Sequence, residues 1–191
     1  MKKFYIIVAH TGTVLSRLIR LYTKDEFSHV SISLDSELEQ MYSFGRKNAY
    51  NPFFGGFVHE GIHWGTFKRF YKTRAKVMEI DVDDEHYDIL KNTIENFKAD
   101  KSEYGFNYFG MFATAINLKL RYKNRFYCAE FVKYMVEKAG LDISLPELVR
   151  PESFKDFKGS NVVYDGLLRD YKYTPIQVEI QPQEEKEFAT V

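Results

Sequence analysis

The chain has 191 residues, enough for one domain with a proper core, and its 27 basic residues balance 27 acidic ones. That balance leaves no bulk field favouring nucleic acid or anionic lipid, and no apolar stretch is long enough to span a bilayer. Aromatic residues make up 17% of the chain, stock enough for both a core and the walls of a cleft.

Residues 3–9 read as a buried strand, closed by the turn-like Thr11-Gly12. Their apolar run is too short for a secretory h-region, and no small-residue cleavage site follows it. Thr13 can cap a short helix from Val14 to Tyr22. Ser16, Arg17 and Arg20 fall on it without a phosphate-loop pattern. Residues 28–34 and 40–44 predict two strands around the polar stretch 35–39, a hairpin. Residues 45–56, rich in Asn and Gly and containing Pro52, read as a loop; residues 57–62 and 75–82 read as strands. Asp83-Asp84-Glu85 gives an acidic first turn to a helix running to about Lys98, with Tyr87, Leu90, Ile94 and Phe97 as its apolar stripe. Tyr104 to Leu120 is mostly apolar and predicts a helix after its aromatic start. A second helical pattern opens at Cys128 and stops at Gly140. Pro146 and Pro151 bracket an irregular stretch, and residues 161–168 suggest a last strand. The expected fold class is α+β, a small antiparallel sheet packed against helices. It forms a single domain over residues 1–176, followed by a polar, frayed tail over 177–191.

Cys128 is the sole cysteine, so no intramolecular disulfide can form and a reducing compartment, the cytoplasm, is expected. A thiol in the first turn of a helix meets the positive end of the helix dipole, which favours the thiolate. His29 lies on the predicted strand Phe27 to Leu34. A cysteine nucleophile needs a base within hydrogen-bond reach and a third polar group to orient that base. The competing reading makes Cys128 a core residue sharing a helical face with Phe131, Val132 and Met135, and His29 a structural histidine.

His59-Glu60-Gly61-Ile62-His63 matches the H-E-x-x-H pattern of zinc peptidases. That chemistry requires a helix, so that both imidazoles project from one face. The surrounding glycines predict a strand or loop instead, and no metal site is expected. Arg46 and Lys47 could meet an acidic substrate or be ordinary solvated charges.

Phe27-Ser28-His29-Val30-Ser31-Ile32-Ser33-Leu34, Met41-Tyr42-Ser43-Phe44 and Phe126-Tyr127-Cys128-Ala129-Glu130-Phe131-Val132 together resemble the circularly permuted NlpC-type papain-fold family of YiiX/YaeF-like cysteine amidases. In that group the His strand precedes the Cys helix, the order found here over roughly residues 25–140. The resemblance implies a permuted papain-like fold and a thiol hydrolase needing no cofactor, with a peptide or small-molecule amide as substrate. It makes Cys128 the nucleophile and His29 the general base, and puts a third polar residue near Ser43, with Gln40, Glu39 and Glu60 as alternatives. The oxyanion hole would include the Cys128 backbone N–H, aided by Tyr104 or Tyr108. Acyl transfer from the same pair and non-catalytic ligand binding are the other functions this scaffold could serve.

Overall fold

The central strand β1 (Lys2–His10) carries six consecutive buried residues, Phe4 to Ala9, because both of its faces are covered. It pairs antiparallel with β2 (His29–Ser33) on one side and β5 (Arg74–Val82) on the other. With β3 (Met41–Asn48), β4 (Asn51–Glu60) and β8 (Ser160–Leu167), these make a six-stranded antiparallel sheet in the order β4-β3-β2-β1-β5-β8. The protein is seen here as a computed structural model that describes residues 1–13, 17, 21, 23–157 and 159–173. The helix expected over 14–22 falls largely outside those residues, and the tail expected over 177–191 lies wholly outside them.

Alternation along β1 divides the core in two. Phe4, Ile6 and Val8 face a large cluster, while Tyr5, Ile7 and Ala9 face a smaller one. The large cluster takes in α2 (Asp84–Ala99) through Leu90, Ile94 and Phe97, and α4 (Cys128–Lys138) through Phe131, Val132 and Met135. The smaller one is closed by Leu38, by Phe67 of the short helix α1 (Gly65–Arg69), and by Leu168 and Tyr171. Asp83 caps α2, accepting the His86 N–H at 2.9 Å. Beyond α4, Gly140 takes a positive φ of 76°, the conformation that ends helices. Among the described residues, no helix is long and apolar enough to cross a membrane.

Two expectations are corrected. Residues 45–56 do not form a loop: β3 runs on to Asn48 and β4 begins at Asn51, with Ala49-Tyr50 as the turn between them. This end of the hairpin projects from the core, so Phe53 and Phe54 are exposed and no alternating pattern marks the strand. The helix expected over 104–120 is only α3 (Tyr108–Ala115). Asn107 starts it by accepting the Gly110 N–H, and Asn117, at φ 58°, stops it. The stop is a Schellman arrangement, with Leu118 N–H bonded to Ala113 O and Asn117 N–H to Thr114 O. Ahead of α3, β6 (Gly105–Phe106) pairs in parallel with β7 (Arg125–Phe126), which leads directly into α4.

Candidate active site

Cys128 is the first residue of α4, and its surroundings hold that helix start in place from three directions. The Glu130 carboxylate accepts the Tyr127 N–H at 3.3 Å and the Asn107 amide at 3.2 Å. Asn107 also donates to Leu120 O, so one buried side chain ties together α3, the following segment and α4. The Tyr127 hydroxyl donates to Val149 O at 2.9 Å and meets Thr114 Oγ1 at 3.0 Å. A cysteine fixed in this way keeps its thiol in one position relative to the sheet. It is only 6% exposed.

His29 opens β2 and points its ring into the same cleft. Its Nε2 lies 3.0 and 3.1 Å from the two Glu60 carboxylate oxygens and 3.2 Å from Ser31 Oγ. Ser31 in turn donates to Glu60 Oε2 at 2.5 Å. Cys128 lines the same cleft, close enough to the imidazole to act on its titration. Burial by itself would push the His29 pKa down. The Glu60 charge, the influence of Cys128 and the bond to Glu60 reverse that and raise it to about 10. Glu60 shows the mirror image: burial pushes its pKa up, but the His29 charge and the bonds around it hold it below the ordinary value.

The sheet itself makes room for this contact. β2 and β3 pair only through Ile32–Tyr42 and Ser33–Met41. No ladder joins them beyond that, and Glu60, on the far side of β3, reaches His29 at the unpaired end. Gly45 borders the path. A Cβ there would stand 3.2 Å from Glu60 Oε1 and 3.1 Å from Ser43 Oγ.

The cleft around Cys128, His29 and Glu60 encloses roughly 690 Å³, part of it open to solvent, and includes Arg46, Tyr108 and Phe106 in its walls. A second, largely apolar cleft of roughly 420 Å³ adjoins it, with Cys128, Ser28 and Met111 lining both. Phe27, Ala115 and Pro151 complete its apolar wall, and an Asp25–Arg150 ion pair at 3.4 Å borders it.

Several residues singled out from the sequence take other places. Ser43 is fully buried; its hydroxyl is turned toward Glu60 and helps keep that carboxylate ionised. The group in contact with His29 is Glu60. Gln40 and Glu39 sit on the exposed connection at the opposite end of β2. Tyr104 packs on Phe97, ring centres 4.4 Å apart, and does not line the cleft, whereas Tyr108 does. The His59-to-His63 motif spans the end of β4 and the turn after it. His59 bonds Glu39 O and stacks on Tyr42, His63 is exposed, and Glu60 is directed to His29. Among the described residues, no three His, Cys, Asp or Glu side chains gather as a metal site. Ser16 and Arg20 lie outside the described residues. Ser31 was not expected in the site, although its position two residues after His29 on one strand face was the available signal.

Compared with known family models, curated proteins and solved structures, the chain matches none of them.

Proposed function

We propose that the chain is a cysteine hydrolase that cleaves an amide bond through an acyl-enzyme on Cys128. The observation that carries this reading is that Glu60, His29 and Cys128 meet in one cleft, with the Glu60 carboxylate bonded to the His29 ring. Glu60 occupies Nε2, which leaves Nδ1 as the ring nitrogen for the thiol. His29 holds the proton taken from the thiol while the sulfur adds to the substrate carbonyl. The negative oxygen that develops is met by the backbone N–H of Cys128, one of the unpaired donors at a helix start. When the C–N bond breaks, His29 gives its proton to the departing nitrogen. Water then attacks the thioester as His29 takes its proton, and the returning sulfur recovers that proton as the acid leaves.

A charged carboxylate behind the base answers the weakness of a serine in that role, because it stabilises imidazolium as well as orienting it. The arrangement accords with the permuted NlpC-type papain-like architecture that the motifs resemble. A second reading, acyl transfer to an amine or alcohol, is favoured by the apolar cleft beside Cys128, which could hold an acyl chain or an acceptor.

The test is the rate of Cys128 alkylation by iodoacetamide against pH, in the wild type and in His29→Ala. The expected wild-type thiol reacts readily below pH 7 and loses that reactivity in the variant. An identical profile in both proteins overturns the pair. Addition of amine acceptors to an active preparation then separates hydrolysis from transfer by product.

A further inference from the structure

We infer that Arg46 and Tyr108 form an anion subsite in the cleft, which takes a carboxylate carried by the substrate near its scissile amide. The inference rests on the cysteine-hydrolase reading and specifies its substrate class.

Arg46 lies on β3 opposite Gly55, partly buried in the wall of the cleft that holds Cys128 and His29. No carboxylate pairs with it among the described residues. Among the described residues, the one acid lining the cleft is Glu60, and its oxygens are engaged by His29 and Ser31. The neighbouring Arg69 stacks on the Tyr50 ring at 3.8 Å and adds a second positive charge nearby. Burial and the Arg69 charge both act against the Arg46 guanidinium and hold its pKa below the ordinary value. A cation in that position is stabilised by an arriving anion.

Tyr108 supplies the complementary donor. Its hydroxyl is buried beside the Gly55 backbone and bonds no side chain among the described residues. The ring packs so closely on β4 that a Cβ at Gly55 would stand 2.8 Å from the hydroxyl oxygen and 2.9 Å from the Phe106 ring. Glycine at position 55 is therefore what admits both aromatic rings beside Arg46. A single guanidinium balances a single carboxylate charge and can bind it with two parallel hydrogen bonds, while the phenol donates a third. Phe44, Phe67 and Phe106 give the same cleft apolar walls, which strengthen such contacts by excluding water.

The experiment needs no known substrate. Cys128 is alkylated in parallel with iodoacetate and with neutral iodoacetamide, and the ratio of the two rates is compared between the wild type, Arg46→Gln and Tyr108→Phe. His29 attracts the anionic reagent in every protein, so the difference between proteins isolates the subsite. The expected ratio falls about tenfold in Arg46→Gln and a few-fold in Tyr108→Phe. An unchanged ratio in Arg46→Gln overturns the proposal. If that variant slows both reagents through damage to the fold, protection of wild-type Cys128 decides. N-acetylglycine shielding the thiol where N-acetylglycinamide does not supports the subsite, and equal or absent protection by the two overturns it. Failure of the cysteine–histidine pair itself would show separately, as an iodoacetamide pH profile indifferent to His29.

Discussion

A serine beside an imidazole can orient the ring, but only a charged group also stabilises the ring once it is protonated. In this site the charge comes from Glu60, and the raised His29 pKa is its direct consequence. Replacing Glu60 with Gln keeps the shape and removes the charge. Cys128 is then the remaining named influence set against burial, so the imidazole pKa should fall from about 10 toward its ordinary value. Proton NMR titration of the ring carbons in Glu60→Gln checks this, and an unchanged titration would show that Cys128 alone holds the proton on His29. Cys128 and His29 were readable in the sequence because each sits in a short motif on an element of clear pattern. Glu60 was only one alternative among several. It lies inside a motif that suggests zinc chemistry, and its distance from His29 depends on how β3 and β4 pair, which local pattern does not encode. Arg46 could be named only as a charge able to meet either an acidic substrate or solvent, since reading residues 45–56 as a loop left its side chain without a direction.

At the scale of elements, the start of α4 depends on contacts from outside that helix. Asn107 is the joint: its amide reaches Glu130 and Leu120 O while its carbonyl caps α3. Asn107→Ala removes the cap and leaves buried acceptors unpaired, at a cost of about 2 kcal/mol or more. Chemical denaturation should register that loss as a lower midpoint with little change in slope. The Cys128 alkylation rate should change with it, because the thiol rides on the same helix start. The length of α4 was legible from its apolar spacing and from Gly140. The shortness of α3 was not, because Asn107 and Asn117 act through side-chain capping and a positive φ that apolar periodicity does not display.

For the whole molecule, the buried pair ties stability to pH. A group whose pKa rises on folding stabilises the fold fully below its unfolded value and loses that contribution as pH rises through its folded value. For His29 the contribution is complete below about 6.5 and is lost by about pH 10. Glu60, lowered on folding, contributes above about 4.5 and loses its contribution as pH falls further. The pair therefore supports the fold most strongly between about pH 4.5 and 6.5. Melting temperature measured from pH 5 to pH 10 should decline more steeply in the wild type than in the double variant His29→Ala/Glu60→Gln. Equal slopes would mean that the pair is energetically silent. The sheet and both principal helices could be anticipated from alternation and helical spacing. The strand order could not, since β5 lies beside β1 across a long excursion of the chain.

The residues that meet in the cleft come from positions 29, 60 and 128, and the sheet beneath them is completed only by β8, near residue 167. During synthesis the imidazole and the carboxylate emerge long before the sulfur, and the final strand follows later still. A nascent or half-folded chain thus carries an ordinary thiol with no base beside it. On the proposed reading, reactivity is a property of the finished architecture, and an unfinished copy is chemically quiet toward the amides that surround it.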